Sequence, residues 1–236
     1  MRISIEPQPI AQRPQFLYTN RRNRFFPFPI TMSATPIEAT VKKATVKYLQ
    51  TPTSEAWIEQ AIANLDTILL DHSHCERKAA GVALNLMCRY PSNTELVYQL
   101  TEIAREELEH FQLVNQILER RGIPLAPLPA PPYGAGLKAQ VRRQEPERLL
   151  DSLLVSGLIE ARSHERLGLL AAHLADRELA AFYRSLMASE ARHYGTYWVL
   201  ATTYFDRDAV TQRLEELAAV ESELLATLYP QPRIHS

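Results

Sequence analysis

The sequence of 236 residues has little glycine, little cysteine and almost no net charge. Its seven glycines leave long glycine-free stretches, which favour helices. No apolar run approaches the roughly eighteen residues that a membrane-spanning helix needs, so no transmembrane helix is predicted. A net charge of −1 excludes a generic polyanion binder, and any contact with nucleic acid must depend on local basic patches.

The two cysteines also limit the choice of compartment. Cys75 and Cys88 are predicted to lie on one helix, about 20 Å apart along its axis. That separation is too long for a disulfide bond. Free thiols are typical of a reducing compartment, so the sequence predicts a cytoplasmic protein.

Residues 1–31 differ in composition from the rest of the chain. They contain five arginines, five prolines and one acidic residue, and they show no helical or strand period. This composition predicts a disordered basic extension, or a true start of translation at Met32. A basic arm that contacts RNA is the alternative. The folded domain is expected to occupy residues 32–236.

Helical periodicity dominates from residue 54 onward, and no alternating strand pattern is visible. Capping residues and stop signals predict helices over residues 54–65, 66–89, 93–121, 146–173, 176–204 and 206–229. The prolines of residues 123–133 exclude helix there, and a short basic helix is predicted over 135–144. The long connection between the second and third long helices predicts an all-α, ferritin-like four-helix bundle with one crossover and additional short and C-terminal helices.

The long helices repeat one arrangement of acidic residues and histidines. Glu107 and His110 are three residues apart and therefore share a helix face, as do Glu190 and His193. One such pair is common by chance. Each pair, however, follows a helix that carries a further glutamate about thirty residues earlier, and these glutamates are Glu76 and Glu160.

This set of four carboxylates and two imidazoles predicts a metal site in the bundle core. Ferritin-like bundles bind two irons or manganeses with such ligands, whereas structural zinc sites prefer thiolates. Apolar residues flank each glutamate at helical spacing, and a buried carboxylate is costly unless it is paired or bound to metal. The alternative is that these glutamates are solvated and pair with nearby arginines.

Five stretches of the sequence together resemble the MiaE-like tRNA 2-methylthio-N6-isopentenyladenosine hydroxylases. The resemblance covers roughly residues 55–205 in order, and its motifs are far more specific than Glu-x-x-His alone. The stretches are DHSHCERKAAG, EELEHFQLVNQILERRGIPLAPL, PPYGAGL, LIEARSHERL and SEARHYGTYW.

The resemblance implies a nonheme di-iron monooxygenase that uses O2 and two electrons from an external donor, such as a ferredoxin. Its substrate would be the isopentenyl group of 2-methylthio-N6-isopentenyladenosine at position 37, in the anticodon loop of tRNA. By this resemblance Glu76 and Glu160 are terminal ligands, Glu107 and Glu190 bridge the two irons, and His110 and His193 each bind one iron. The candidate phosphate-binding residues are Arg120, Arg121, Lys138, Arg142, Arg143 and Arg148.

Two other functions share the predicted ligands. One is a di-iron oxidase or oxygenase that acts on a lipid, an aldehyde or another small metabolite. The other is a ferritin-like iron-binding protein without enzymatic activity. Histidines near the glutamates add a further expectation: His72 and His164 lie one turn from Glu76 and Glu160, and each either orients a ligand or is an ordinary buried histidine.

Overall fold

The computed structural model describes residues 46–236, and the predicted boundary between residues 31 and 32 lies outside this range. Within it the chain forms helices and no strands. The helices are α1 (Glu55–Ala63), α2 (Leu65–Arg89), α3 (Thr94–Arg120), α4 (Pro132–Ala139), α5 (Glu147–His173), α6 (Arg177–Tyr204) and α7 (Arg207–Leu224). None of these helices is long and apolar enough to cross a membrane.

The helix ends follow the capping signals of the sequence. Ser54 accepts a hydrogen bond from the main-chain nitrogen of Trp57, and Asp176 accepts one from that of Leu179. Asp206, rather than Asp208, caps α7. At the end of α3, Gly122 adopts a φ of 68°, a left-handed conformation that glycine reaches without strain.

Helices α2, α3, α5 and α6 form the predicted ferritin-like four-helix bundle, and the α3–α5 connection is the predicted crossover. Its short helix was predicted over 135–144 but spans Pro132–Ala139, so helix begins inside the proline-rich stretch. Pro132 fits there because the first residue of a helix needs no N–H partner. The helix ends early because the main-chain nitrogen of Arg142 donates to Asp151 instead.

The core consists of two clusters of buried hydrophobic residues, one towards each end of the bundle. One cluster contains Leu100, Leu153 and Leu200, and the other contains Val114 and Leu170 among others. Every long helix contributes to both clusters. Between them the four helices carry a layer of buried polar side chains, and this layer contains the six predicted metal ligands.

Candidate metal centre

All six predicted ligands are buried at the middle of the bundle, where each long helix contributes at least one. Their exposure does not exceed 8%, which excludes the alternative that the glutamates are solvated. Helix α2 supplies Glu76 and α5 supplies Glu160, while α3 and α6 supply the two Glu-x-x-His pairs. Three-residue spacing on a helix turns both members of each pair towards the bundle axis.

The side chains form two overlapping groups whose donor atoms lie within 4.8 Å of one another. The first contains Glu76, Glu107, His110 and Glu190, and the second contains Glu107, Glu160, Glu190 and His193. Glu107 and Glu190 belong to both groups. The geometry therefore offers two adjacent cation positions that share two carboxylates, and the assignment of these residues as metal ligands stays a prediction.

Several donor atoms of these groups have no hydrogen-bond partner in the described part of the chain. They are Nδ1 of His110, Nδ1 of His193, Oε1 of Glu107 and Oε1 of Glu190. His193 Nδ1 and Glu107 Oε1 lie 2.7 Å apart, yet without the alignment of a hydrogen bond. Unpaired buried polar atoms are destabilising, and a pair of divalent cations would satisfy all four. The residues therefore fit a two-metal centre.

The electrostatics of the cluster agree with this fit. Burial and the repulsion from neighbouring carboxylates raise the pKa of Glu107 and of Glu190 well above the usual value. Burial also raises the pKa of Glu160. For Glu76 burial acts in the same direction and is the largest single cause, but the contacts with His72, Glu107 and His110 together outweigh it and hold the pKa well below the usual value. Without metal, these carboxylates compete for protons that cations would displace.

Each histidine of the cluster contacts a supporting residue on another helix through its second ring nitrogen. His193 Nε2 lies 2.8 Å from Oε2 of Glu106, which also pairs with Arg192. His110 Nε2 lies 3.3 Å from the hydroxyl of Ser189. Both contacts leave Nδ1 facing the carboxylates, so they fix the ring orientation that metal binding needs. Neither Glu106 nor Ser189 belongs to the six ligands that the sequence predicts.

The two histidines next to the glutamates on α2 and α5 behave differently. His72 Nε2 lies 2.5 Å from Oε1 of Glu76, so His72 orients that carboxylate. His164 does not play the equivalent role, because its Nδ1 bonds with the main-chain oxygen of Met187. Three further glutamates lie away from the cluster. Glu102 and Glu109 pair with Arg105 on the surface, and Glu165 pairs with Arg162.

The predicted phosphate-binding residues divide into two sets. Arg142 is bound to the buried carboxylate of Asp151, and the cations at the end of α3 pair with acidic residues of α2 and α6 or of the turn before α6. These cations therefore already have partners. Lys138, Arg143 and Arg148 form the second set, and they make no ion pair within residues 46–236.

A cavity of about 290 Å³ leads from the carboxylates to the surface between α2 and α5. Its floor includes Glu76, Glu107, Glu160 and Glu190. Its walls are largely apolar, and they include Ala79 and Val82 of α2 and Ile159 and Leu167 of α5. Exposed residues at its mouth come from α2, the crossover and α4, and they include Lys78, Ala130, Gly134 and Ala135.

Residues 234 and 235 also line this cavity, and no pattern in the sequence indicated this. Ile234 and His235 follow Pro230 and Pro232, where no helical period exists. Their placement depends on contacts with distant parts of the chain. Ser189, in contrast, had a detectable signal, since it precedes Glu190 just as Glu106 precedes Glu107.

The fold and this cluster define the class: a ferritin-like protein whose bundle core holds a carboxylate- and histidine-rich candidate di-iron centre. Residues 40–236 match the family tRNA-(MS2IO6A)-hydroxylase (MiaE). The chain belongs to this family. It is 44% identical to a tRNA 2-(methylsulfanyl)-N(6)-isopentenyladenosine(37) hydroxylase of Pseudomonas putida, in an alignment that covers 80% of this chain and 92% of the relative.

Two further similarities extend the comparison. A hydroxylase of the same name from Salmonella typhimurium is 32% identical, over 81% of this chain and 88% of that protein. A solved structure, described as protein 43 with aldehyde deformylating oxygenase activity from Synechococcus, is 50% identical and superposes with a TM-score of 0.79. It covers 81% of this chain and 96% of its own. The ferritin-like fold predicted from the sequence is confirmed.

Proposed function

We propose that this protein hydroxylates the isopentenyl group of 2-methylthio-N6-isopentenyladenosine at position 37 of tRNA, with two irons and O2. The observation that carries the proposal is the family match over residues 40–236. The cavity supports it, because its walls are largely apolar and its floor includes four of the candidate ligands. The proposed ligands are those predicted from the sequence: Glu76, Glu107, His110, Glu160, Glu190 and His193.

The reaction replaces one C–H bond of a terminal methyl group by a C–O bond. One oxygen atom of O2 enters the product and the other leaves as water, with two protons and two electrons from an external donor. The bound irons would supply the reduction of O2, which no side chain of this protein can perform alone. A ferredoxin as donor and a cytoplasmic location stay predictions.

The residues of the chain hold the substrate and exclude water. An isopentenyl group is apolar, so it gains free energy by leaving water for walls such as Val82 and Ile159. The adenine must leave the stacked anticodon loop for its side chain to reach the floor. Lys78 lines the mouth and makes no ion pair within residues 46–236, so it is available to a phosphate there.

The test uses iron-loaded protein, a chemical or protein reductant, O2 and tRNA that carries the unhydroxylated nucleoside. Mass spectrometry of the digested tRNA should show a gain of one oxygen atom at that nucleoside. Glu107→Ala should abolish the gain, whereas the surface variant Glu109→Ala should retain it. Wild-type protein with full iron and no oxygen gain would exclude the function.

A second candidate function is the oxygen-dependent deformylation of an aldehyde. It is favoured by the 50% identity with the Synechococcus protein, whose description names aldehyde deformylating oxygenase activity. Apolar cavity walls suit an alkyl chain as well as an isopentenyl group. The two candidates are separated by offering both substrates to one preparation. Conversion of aldehydes with no change in tRNA would favour the second function, and hydroxylated tRNA would favour the first.

A further inference from the structure

Residues 233–236, called the wall segment below, are buried although they form no helix. Arg233, Ile234, His235 and Ser236 are each at most 8% exposed. Irregular segments normally run over the surface, because their main-chain groups need hydrogen-bond partners. The bundle must therefore supply such partners to this segment.

Side chains from two helices bind the main chain of the wall segment. Asp71 of α2 accepts a hydrogen bond from the main-chain nitrogen of Ile234 at 2.8 Å. Trp57 of α1 donates its indole N–H to the main-chain oxygen of Arg233 at 3.0 Å. The side chain of Arg233 in turn donates to the main-chain oxygen of Pro129 in the crossover. The segment thus ties α1, α2 and the crossover together.

Arg166 of α5 fixes the segment from the opposite side. This guanidinium is buried. It donates to the main-chain oxygens of Ile234 and Ser236, and its carbon lies 4.4 Å from the ring centroid of Trp57. Burial and the nearby Arg162 lower the pKa of Arg166 to about 9, so it keeps its charge at neutral pH. Displacement of the segment would leave this buried charge with the Thr53 hydroxyl as its remaining acceptor among these contacts, which is strongly destabilising.

His235 packs against three different helices. Its ring lies parallel to that of Tyr133 on α4, with centroids 5.2 Å apart. Nε2 lies 3.0 Å from the Ser163 hydroxyl on α5, and Nδ1 lies 3.7 Å from Sγ of Cys75 on α2. Burial and the nearby cations lower its pKa to about 3, so the ring is neutral at physiological pH. His235 therefore acts as a fixed, uncharged part of the cavity lining.

We propose that Ile234 and His235 are specificity-determining residues, which set the size of the substrate side chain that the cavity accepts. The inference rests on the proposed function and deepens it. Both residues line the cavity that ends at the candidate metal ligands. A side chain that reaches this wall could extend further only by displacing these two residues, and this would break the bonds to Asp71 and Arg166. A wall anchored in this way rejects added carbons, whereas a mobile one would yield.

The test enlarges the cavity by a known amount. Ile234→Ala removes three carbons, and the probes are two anticodon stem-loop RNAs whose N6 side chains are isopentenyl and an analogue longer by three carbons. The ratio of kcat/KM, longer over isopentenyl, should rise at least about tenfold in the variant. The ratio of dissociation constants, longer over isopentenyl, should fall for the iron-loaded protein, because tighter binding means a smaller dissociation constant. His235→Ala should shift each ratio in the same direction as Ile234→Ala does.

The matched control is Ile68→Ala, which removes the same three carbons from a fully buried residue of α2 that does not line the cavity. It should lower the melting temperature without changing either ratio. Ile234→Val, which removes one carbon, should give a smaller shift and serves if the alanine variant fails to fold. Unchanged ratios in the Ile234 and His235 variants, with wild type active on isopentenyl RNA, would overturn the inference.

Failure of the proposed function gives a different result. In that case wild-type protein would hydroxylate neither RNA. The wall is then tested by the dissociation constants of two linear aldehydes that differ by three carbons. A relative gain for the longer aldehyde in Ile234→Ala supports the wall, and an unchanged ratio overturns it.

Discussion

The α2–α3 and α5–α6 helix pairs present equivalent candidate ligands, but they support these ligands with different neighbours. Glu106 precedes Glu107 and contacts His193, whereas the equivalent Ser189 precedes Glu190 and contacts His110. A carboxylate that contacts the second nitrogen of an imidazole makes that imidazole a stronger metal ligand than a hydroxyl at the same place does. The position with His193 is therefore the more electron-rich of the two.

The second difference lies one turn before Glu76 and Glu160. It also makes the position with His193 the more electron-rich of the two. His72 contacts Glu76 at 2.5 Å and reduces the negative charge that this carboxylate offers. At the equivalent position before Glu160 stands Ser156, whose hydroxyl donates to the main-chain oxygen of Ser152. Near-identical ligand sets can thus form two unequal cation positions, because the neighbours and not the ligands differ.

Removal of a shared carboxylate should have the largest effect, since Glu107 and Glu190 belong to both groups. Glu107→Ala and Glu190→Ala should each reduce the iron content from about two per chain to near zero, with loss of activity. Elemental analysis after anaerobic reconstitution measures this, and Glu109→Ala on the same helix is the control. Full iron in either variant would show that the two positions do not share that residue.

The equivalent ligands could be found from sequence, and their unequal neighbours only in part. Glu-x-x-His spacing is local, and on a helix it fixes which face the side chains share. The contact from Glu106 to His193 joins α3 to α6, so it depends on how the helices pack. Inspection of the repeat identifies Ser189 as the equivalent of Glu106, but not what either residue contacts.

Tertiary contacts also explain what the sequence did not predict at the cavity. The wall segment has no period, and its burial depends on Asp71, Trp57 and Arg166, which are distant in the chain. Arg142 belonged to a basic cluster in the sequence, yet the buried carboxylate of Asp151 binds it. Whether a cation is available to a ligand depends on such partners, which residue type alone does not reveal.

The second largest effect concerns stability and compares two cations at equivalent positions. Arg162 lies two residues after Glu160, and Lys78 lies two residues after Glu76. Arg162 is buried and binds both carboxylate oxygens of the buried Glu221 at 2.8 Å, whereas Lys78 is exposed. Arg162→Ala should lower the free energy of unfolding by about 3–5 kcal/mol, because it leaves Glu221 unpaired. Lys78→Ala should change it by less than about 0.5 kcal/mol.

Urea denaturation of the two iron-loaded variants measures both values. Glu221→Gln with Arg162→Ala provides a further control, because it removes the orphaned charge and should recover part of the loss. Equal stability of the two single variants would show that the surroundings of Arg162 and Lys78 do not differ as the structure indicates.

A third, smaller effect tests the unequal neighbours directly. Glu106→Gln should weaken metal binding at one position by about 10–100-fold, and Ser189→Ala should weaken the other by less. Stepwise anaerobic titration of metal-free protein with Fe²⁺ gives two dissociation constants for each variant. The exchange Glu106→Ser with Ser189→Glu should reverse which position binds more tightly, and identical constants in all variants would contradict the inequality.

The smallest effect concerns RNA binding. It is tested at Lys78, which is the exposed one of these two cations. Lys78 lies at the cavity mouth, so a phosphate of the anticodon loop can reach it while the substrate side chain occupies the cavity. Lys78→Ala should weaken tRNA binding a few-fold and reduce the slope of log affinity against log salt by about 0.7–0.9. Iron content should not change.

Arg120→Ala is the control, since Arg120 lies near Glu178 at the start of α6. Equal affinities and slopes for wild type and Lys78→Ala, measured by fluorescence anisotropy at several salt concentrations, would show that the RNA backbone does not contact this side of the mouth.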